Sequence, residues 1–154
     1  MMLEPGDAIP AVTLMDMEGV EFALDHYSGK PLVVYFYPKA DTPGCTNEAK
    51  DFTARADEDA AAGVPVIGIS RDKPAKLKKF SEKYGLSVIL ASDEPGDACA
   101  AFGTWVEKSL YGRTYMGIER ATFLFGAQGK VQRIWRKVKV KGHAAEVLEA
   151  ARAL

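Results

Sequence analysis

The sequence predicts an α/β fold, a mixed central sheet flanked by helices, and three observations carry that prediction. Strand-like and helix-like segments alternate over most of the chain. The segments "PLVVYFYP" (31–38) and "VPVIGIS" (64–70) are apolar throughout, as strands covered on both faces are. The last third holds a hairpin followed by an amphipathic helix rather than another alternating pair.

Taken in order, "AVTLMDMEGVEFAL" reads as two short strands around Met17-Glu18-Gly19, a hairpin at the entrance of the fold. The strand 31–38 ends at Pro38, which has no N–H to give to a ladder. Thr42 is a good N-cap, Pro43 suits the first helical position, and Gly63 is the stop signal, so a helix is expected between them. On it Cys45, Ala49, Phe52, Ala56 and Ala60 recur at spacings of three or four, an inward stripe that begins with a thiol in the first turn. After the strand 64–70, Leu77, Phe80 and Tyr84 mark the inner face of a helix running from Asp72 or Lys73 to about Tyr84. "LSVILAS" gives a further strand, and "DEPGDACAAFG" a short helix closed by Gly103. "ERATFLF" and "VQRIWRKV", joined by "GAQGK", form the late hairpin. "GHAAEVLEAARAL" is the final helix, with Val147, Leu148, Ala151 and Leu154 expected inward. No repeat or linker-like stretch interrupts the chain, so residues 1–154 are expected to form one domain.

The 154 residues carry a formal net charge of −1, with 20 basic and 21 acidic side chains. That balance argues against a nucleic-acid or anionic-membrane binder, which needs a basic surplus. No apolar run approaches the roughly 20 residues of a membrane span, and "MMLEPGDAIP" has the makings of no signal peptide. Two cysteines 54 positions apart make a poor disulfide scaffold and no thiolate-rich metal site. A reducing, cytoplasmic setting is the expectation, with any cysteine chemistry catalytic or redox-sensing. His26 and His143 belong to no ligand-spaced cluster and are expected at the surface. The basic runs "KPAKLKK" and "WRKVKVKG" read as solvated faces.

Cys45 is the residue with chemistry to offer. The thiolate is the nucleophile of a cysteine, and the first turn of a helix presents unpaired N–H groups and the positive end of the macrodipole. The Thr42 hydroxyl is nearby through the cap, and Arg120, leading into "ATFLF", is the best placed cation to complete an electropositive pocket. A cysteine on an apolar helix face can equally be an inert small hydrophobe, and periodicity alone leaves both readings open.

"YPKADTPGCTNEA" resembles the active-site signature of the peroxiredoxins, Pro-x-x-x-Thr-x-x-Cys, met by Pro38, Thr42 and Cys45. Its form is similar to the bacterioferritin comigratory protein or peroxiredoxin Q branch. "GDAIPAVTLMDMEG" resembles the entry hairpin of that branch, "VIGISRDKPAKLKKFSEKYGL" its second strand and following helix, and "FGTWVEKSLYGRTYMGIERATFLFGAQGKV" its later signature, including an arginine at Arg120. The resemblance implies a thioredoxin-like fold and a thiol-dependent peroxidase acting on hydrogen peroxide and organic hydroperoxides, without metal or organic cofactor. Cys45 would be the peroxidatic thiolate that becomes a sulfenic acid. Thr42, Arg120 and the Cys45 backbone N–H would hold the peroxide, and Pro38 would shield the sulfur. Glu48 matches a glutamate of the branch, and either a supporting role or a solvent-facing first-turn acid is open to it. Tyr37 and Trp105 are candidates for the pocket wall, or plain core.

The chain departs from the branch at the resolving thiol. The position five residues after Cys45 is Lys50, and the following helix offers Ser81 but no cysteine. Cys99, read by default as a buried structural thiol, matches no usual resolving position. The expectation is a one-cysteine mechanism, with an external thiol donor such as thioredoxin or glutaredoxin recycling a protein expected to be a monomer. Resolution by Cys99 after local unfolding is the lesser route, and Lys50 could be an introduced replacement. A disulfide oxidoreductase is disfavoured by the lack of a C-x-x-C pair. The remaining alternative is a redox sensor or holdase that signals through Cys45 oxidation.

Overall fold

A computed structural model describes residues 3–58 and 64–154. It shows an α/β fold built on a seven-stranded mixed sheet flanked by helices. The strands are β1 (Thr13–Met15), β2 (Glu21–Ala23), β3 (Leu32–Phe36), β4 (Val66–Ser70), β5 (Ile89–Ser92), β6 (Trp105–Leu110), β7 (Arg113–Ile118), β8 (Ala121–Phe125) and β9 (Val131–Trp135). The helices are α1 (Pro43–Glu58), α2 (Pro74–Tyr84), α3 (Asp97–Phe102) and α4 (His143–Arg152). The main sheet runs β2-β1-β5-β4-β3-β8-β9, with β3, β4 and β5 parallel and the outer strands antiparallel.

Every residue of β3 and of β4 is buried, because helices or chain segments cover both faces of the sheet. Side chains alternate across a strand, and β3 divides accordingly. Leu32, Val34 and Phe36 face a core with Leu14, Leu24, Cys99, Phe102 and Phe123. Val33, Tyr35 and Tyr37 face the other core, which holds Cys45, Ala49 and Phe52 of α1, Leu77 and Phe80 of α2, and Val147 and Leu148 of α4. The two cysteines thus lie on opposite faces of the sheet.

Three features depart from the sequence reading. Residues 105–118 form a separate hairpin, β6 on β7, with a two-residue turn at Tyr111 and Gly112, both at positive φ (51° and 77°). His143 is buried rather than superficial: its Nε2 lies 2.7 Å from Thr122 Oγ1, between the rings of Phe52 and Trp135. Leu154 is not inward but 54% exposed, since α4 ends at Arg152 before another turn could bury it. The expected stop at Gly63, and Ala60 of the stripe, lie outside the described residues.

Candidate active site

The pairing of β3 with β8 builds the site. Phe36 is in register with Ala121, so the residue before β8, Arg120, arrives beside the end of β3, where the chain turns through residues 37–42 into α1. That turn is held at several points. Tyr37 N–H donates to the Ile69 carbonyl at 3.1 Å. Ala40 N–H donates to Asp72 Oδ2 at 2.7 Å, and Ser70 Oγ donates to the same oxygen at 2.8 Å. Asp41, at φ 62°, accepts from the Tyr84 hydroxyl at 2.6 Å and from Lys83 Nζ at 3.0 Å, which ties the turn to α2. None of these tethers has a recognisable sequence signature.

Thr42 caps α1 through its main chain, its carbonyl accepting from Thr46 N–H at 2.8 Å. Its hydroxyl donates to the Lys39 carbonyl at 2.8 Å, which leaves the oxygen lone pairs to accept. Cys45 is a free, buried thiol in the first turn of the helix. Arg120 Nη2 donates to Cys45 Sγ at 3.3 Å, and Nη1 donates to Glu48 Oε1 at 2.6 Å. One guanidinium therefore spans a carboxylate and the sulfur. Gly44 makes the approach possible, because a Cβ there would stand 3.2 Å from Arg120 Nη2.

Glu48 is 1% exposed, so the solvent-facing alternative is excluded. It follows Cys45 by three residues and precedes Phe52 by four, on the same inward face of α1. Burial pushes its carboxyl up to about 7, against the opposing pull of Arg120, and its Oε2 has no hydrogen-bond partner among the described residues. Burial also weighs against the Arg120 charge, but Glu48 and Cys45 outweigh it and hold the guanidinium above its ordinary value. A charged ion pair of this kind is stable inside a protein only because both ends are paired.

Tyr37 is buried beneath the site in the same core as Cys45, its ring 5.6 Å from that of Tyr35. Pro38 is exposed on the outside of the turn. Trp105 is 37% exposed on β6, with the Arg71 guanidinium 4.6 Å from its ring centre, so it is not core. Lys50 is exposed, with Nζ 5.9 Å from the centre of the Tyr84 ring. Cys99 is buried in α3 and its N–H donates to Asp93 Oδ2 at 2.8 Å. Burial, reinforced by Asp93, pushes its thiol far up, so it is a poor nucleophile where it stands.

Residues 5–134 match the AhpC/TSA family. The chain is 45% identical to Peroxiredoxin Bcp of Escherichia coli over 146 residues, 95% of this chain and 94% of that protein. It is similar to solved structures of the Xanthomonas campestris bacterioferritin comigratory protein (TM-score 0.89, 43% identity, 98% of this chain and 96% of that one) and of a Xylella fastidiosa PrxQ mutant (TM-score 0.92, 35% identity, 99% and 98%). With the thiol at the start of α1 and an arginine on its sulfur, in a thioredoxin-like sheet, the chain belongs to the AhpC/TSA family of peroxiredoxins.

Proposed function

We propose that the protein is a thiol-dependent peroxidase that reduces hydrogen peroxide and organic hydroperoxides through Cys45. The observation that carries this reading is the 3.3 Å contact from Arg120 Nη2 to Cys45 Sγ at a helix N-terminus. The sulfur attacks the terminal peroxide oxygen, the O–O bond breaks, and a Cys45 sulfenic acid forms with water or an alcohol. Arg120 and the Cys45 N–H stabilise charge as it moves from sulfur to the departing oxygen, a contribution made without reorganisation because the donors are already aimed. Thr42, its hydroxyl hydrogen engaged with Lys39, accepts from the peroxide O–H. Glu48 is a positioning residue that fixes the Arg120 guanidinium, and Pro38 covers the sulfur from the solvent side of the turn. The alkyl peroxide reduction activity of the Xanthomonas campestris bacterioferritin comigratory protein supports the same chemistry here.

The resolving step is assigned to an external thiol, thioredoxin-like or glutaredoxin-like, in a one-cysteine cycle. Lys50 supplies no thiol at the local position, and Cys99 is buried on the far face of the sheet. A single chain supplies every residue of the site, consistent with a monomer. Two free cysteines suit the cytoplasm, and among the described residues no helix is long and apolar enough to cross a membrane. The test is peroxide consumption under excess dithiothreitol. Wild type and Cys99→Ser should turn over continuously, and Cys45→Ser should not, since a neutral hydroxyl is a far poorer nucleophile. One equivalent consumed and then arrest would favour a redox sensor; an active Cys45→Ser would remove Cys45 as the nucleophile.

A further inference from the structure

The reaction leaves one requirement unassigned. When the O–O bond of a hydroperoxide breaks, the departing oxygen carries a negative charge and must gain a proton. Arg120 cannot give one, because a guanidinium does not deprotonate in a protein, and its outer nitrogens face Glu48 and Cys45. The Thr42 hydrogen is engaged by the Lys39 carbonyl. Glu48 can carry a proton, but it is 1% exposed and its Oε1 is held by Arg120 Nη1 at 2.6 Å, so it has no direct access to the water that would have to replenish it.

Lys108 lies on β6 of the β6–β7 hairpin, in register with Tyr115. Its side chain is partly buried. The stem runs along the hairpin towards its base: Cδ and Cε pass 3.3 and 3.6 Å from the place where Gly117 would carry a Cβ. Gly117 is thus a lane that only a residue without a side chain leaves open, and it stands three residues before Arg120. The hairpin base is fixed there, with Glu119 N–H donating to the Thr104 carbonyl at 2.7 Å. The residue is half-buried, its ammonium forms no ion pair among the described residues, and Arg120, Cys45 and Glu119 lie close enough to act on it electrostatically. A partly desolvated cation without an ion-pair partner is a costly arrangement unless an anion comes within its reach.

We propose that Lys108 is a catalytic residue, the acid that protonates the leaving oxygen. The Cys45 thiolate bonds to the terminal oxygen of HO–OR, which keeps its hydrogen and becomes the sulfenic acid. The O–O electron pair leaves on RO⁻, which takes a proton from the Lys108 ammonium and departs as ROH. The neutral amine then recovers its proton from water. Burial, together with repulsion from Arg120, lowers Lys108 from the ordinary lysine value, in the direction that makes it the better acid.

This proposal rests on Cys45 being the peroxide nucleophile, and wild-type consumption of the same peroxides tests that separately. The experiment compares single-turnover oxidation of wild type, Lys108→Met, Lys108→Arg and Gly117→Ala by tert-butyl hydroperoxide and by peracetic acid. The alkoxide leaving group needs a proton, whereas acetate does not. Lys108→Met should slow tert-butyl hydroperoxide by roughly 10²-fold and change peracetic acid little. Gly117→Ala, which crowds the lysine without removing it, should show the same selectivity more weakly. Lys108→Arg, which keeps the charge but has no proton to give, should not restore the tert-butyl hydroperoxide rate. Equal losses for both oxidants, full rescue by arginine, or no loss in Lys108→Met would each overturn the proposal.

Discussion

Replacing Arg120 by methionine separates what this residue does for catalysis from what it does for Glu48. In the unfolded chain Glu48 titrates near 4.5, and in the fold burial raises it to about 7. A folded value above the unfolded one gives stability that is complete below 4.5 and is lost as pH rises, until the loss levels off near 7. Arg120 is the group that stops the rise there, since its charge and hydrogen bond pull Glu48 down. Without it the carboxyl keeps its proton to higher pH, so the loss continues past 7 at about 1.4 kcal/mol per pH unit. The two proteins should therefore differ little from this cause below neutrality and by about 2 kcal/mol near pH 8.5. Urea unfolding across that range, in a Cys45→Ser background so that no thiol titrates at the site, reads the difference. Adding Glu48→Gln should flatten the alkaline slope. Peroxide oxidation, measured with Cys45 present, should stay slow in both variants by roughly 10²–10³-fold, the usual cost of one oxyanion donor. A destabilisation independent of pH and unchanged by Glu48→Gln would refute the reasoning.

His143, buried against Thr122, is held down to about 4 by burial. Its folded value lies below the unfolded one, so stability present above about pH 6.5 should fall as pH drops towards 4; His143→Gln should lose that part of the acid slope in denaturation curves. Gly44→Ala keeps a helical residue but places a Cβ 3.2 Å from Arg120 Nη2. The variant should unfold at no lower a temperature than wild type, because alanine favours a helix, yet react several-fold more slowly with peroxide as the guanidinium is pushed from the sulfur. A fast Gly44→Ala enzyme would show that the close approach is dispensable.

The parts of the fold legible in sequence are those where one physical rule dominates. Pro38 and Pro43 bracket the turn into α1, and the uninterrupted apolar runs become the buried parallel strands β3 and β4. Arg120 could be singled out because it precedes a strand, but its meeting with Cys45 depends on the register Phe36–Ala121, which is a long-range fact. The β6–β7 hairpin escapes notice for two reasons. Most of its residues are exposed on both faces, so no apolar alternation marks it, and its turn places Tyr111, 96% exposed, in a left-handed conformation normally given to Asn, Asp or Gly. Glu48 and His143 show a different limit. A polar side chain reads by its type as a surface residue, which leaves Glu48 open between two roles and puts His143 at the surface, yet Glu48 shares the face of Cys45 and Phe52, and His143 the face of Val147. A polar residue at an apolar register position signals a buried partner, here Arg120 and Thr122.

The central claim is that Cys45 reacts with peroxide and finds no partner thiol within its own chain. Cys45 and Cys99 sit in different cores on opposite faces of the sheet, and Lys50 occupies the nearby helical position. The direct test is the intact mass of the reduced protein after one equivalent of hydrogen peroxide, without reductant, followed by peptide mapping. The account predicts a gain of one oxygen on the Cys45 peptide, captured by a sulfenate-specific nucleophile, and a second oxygen with excess peroxide because no internal thiol competes. Loss of two hydrogens, with a peptide joining Cys45 to Cys99, would contradict it.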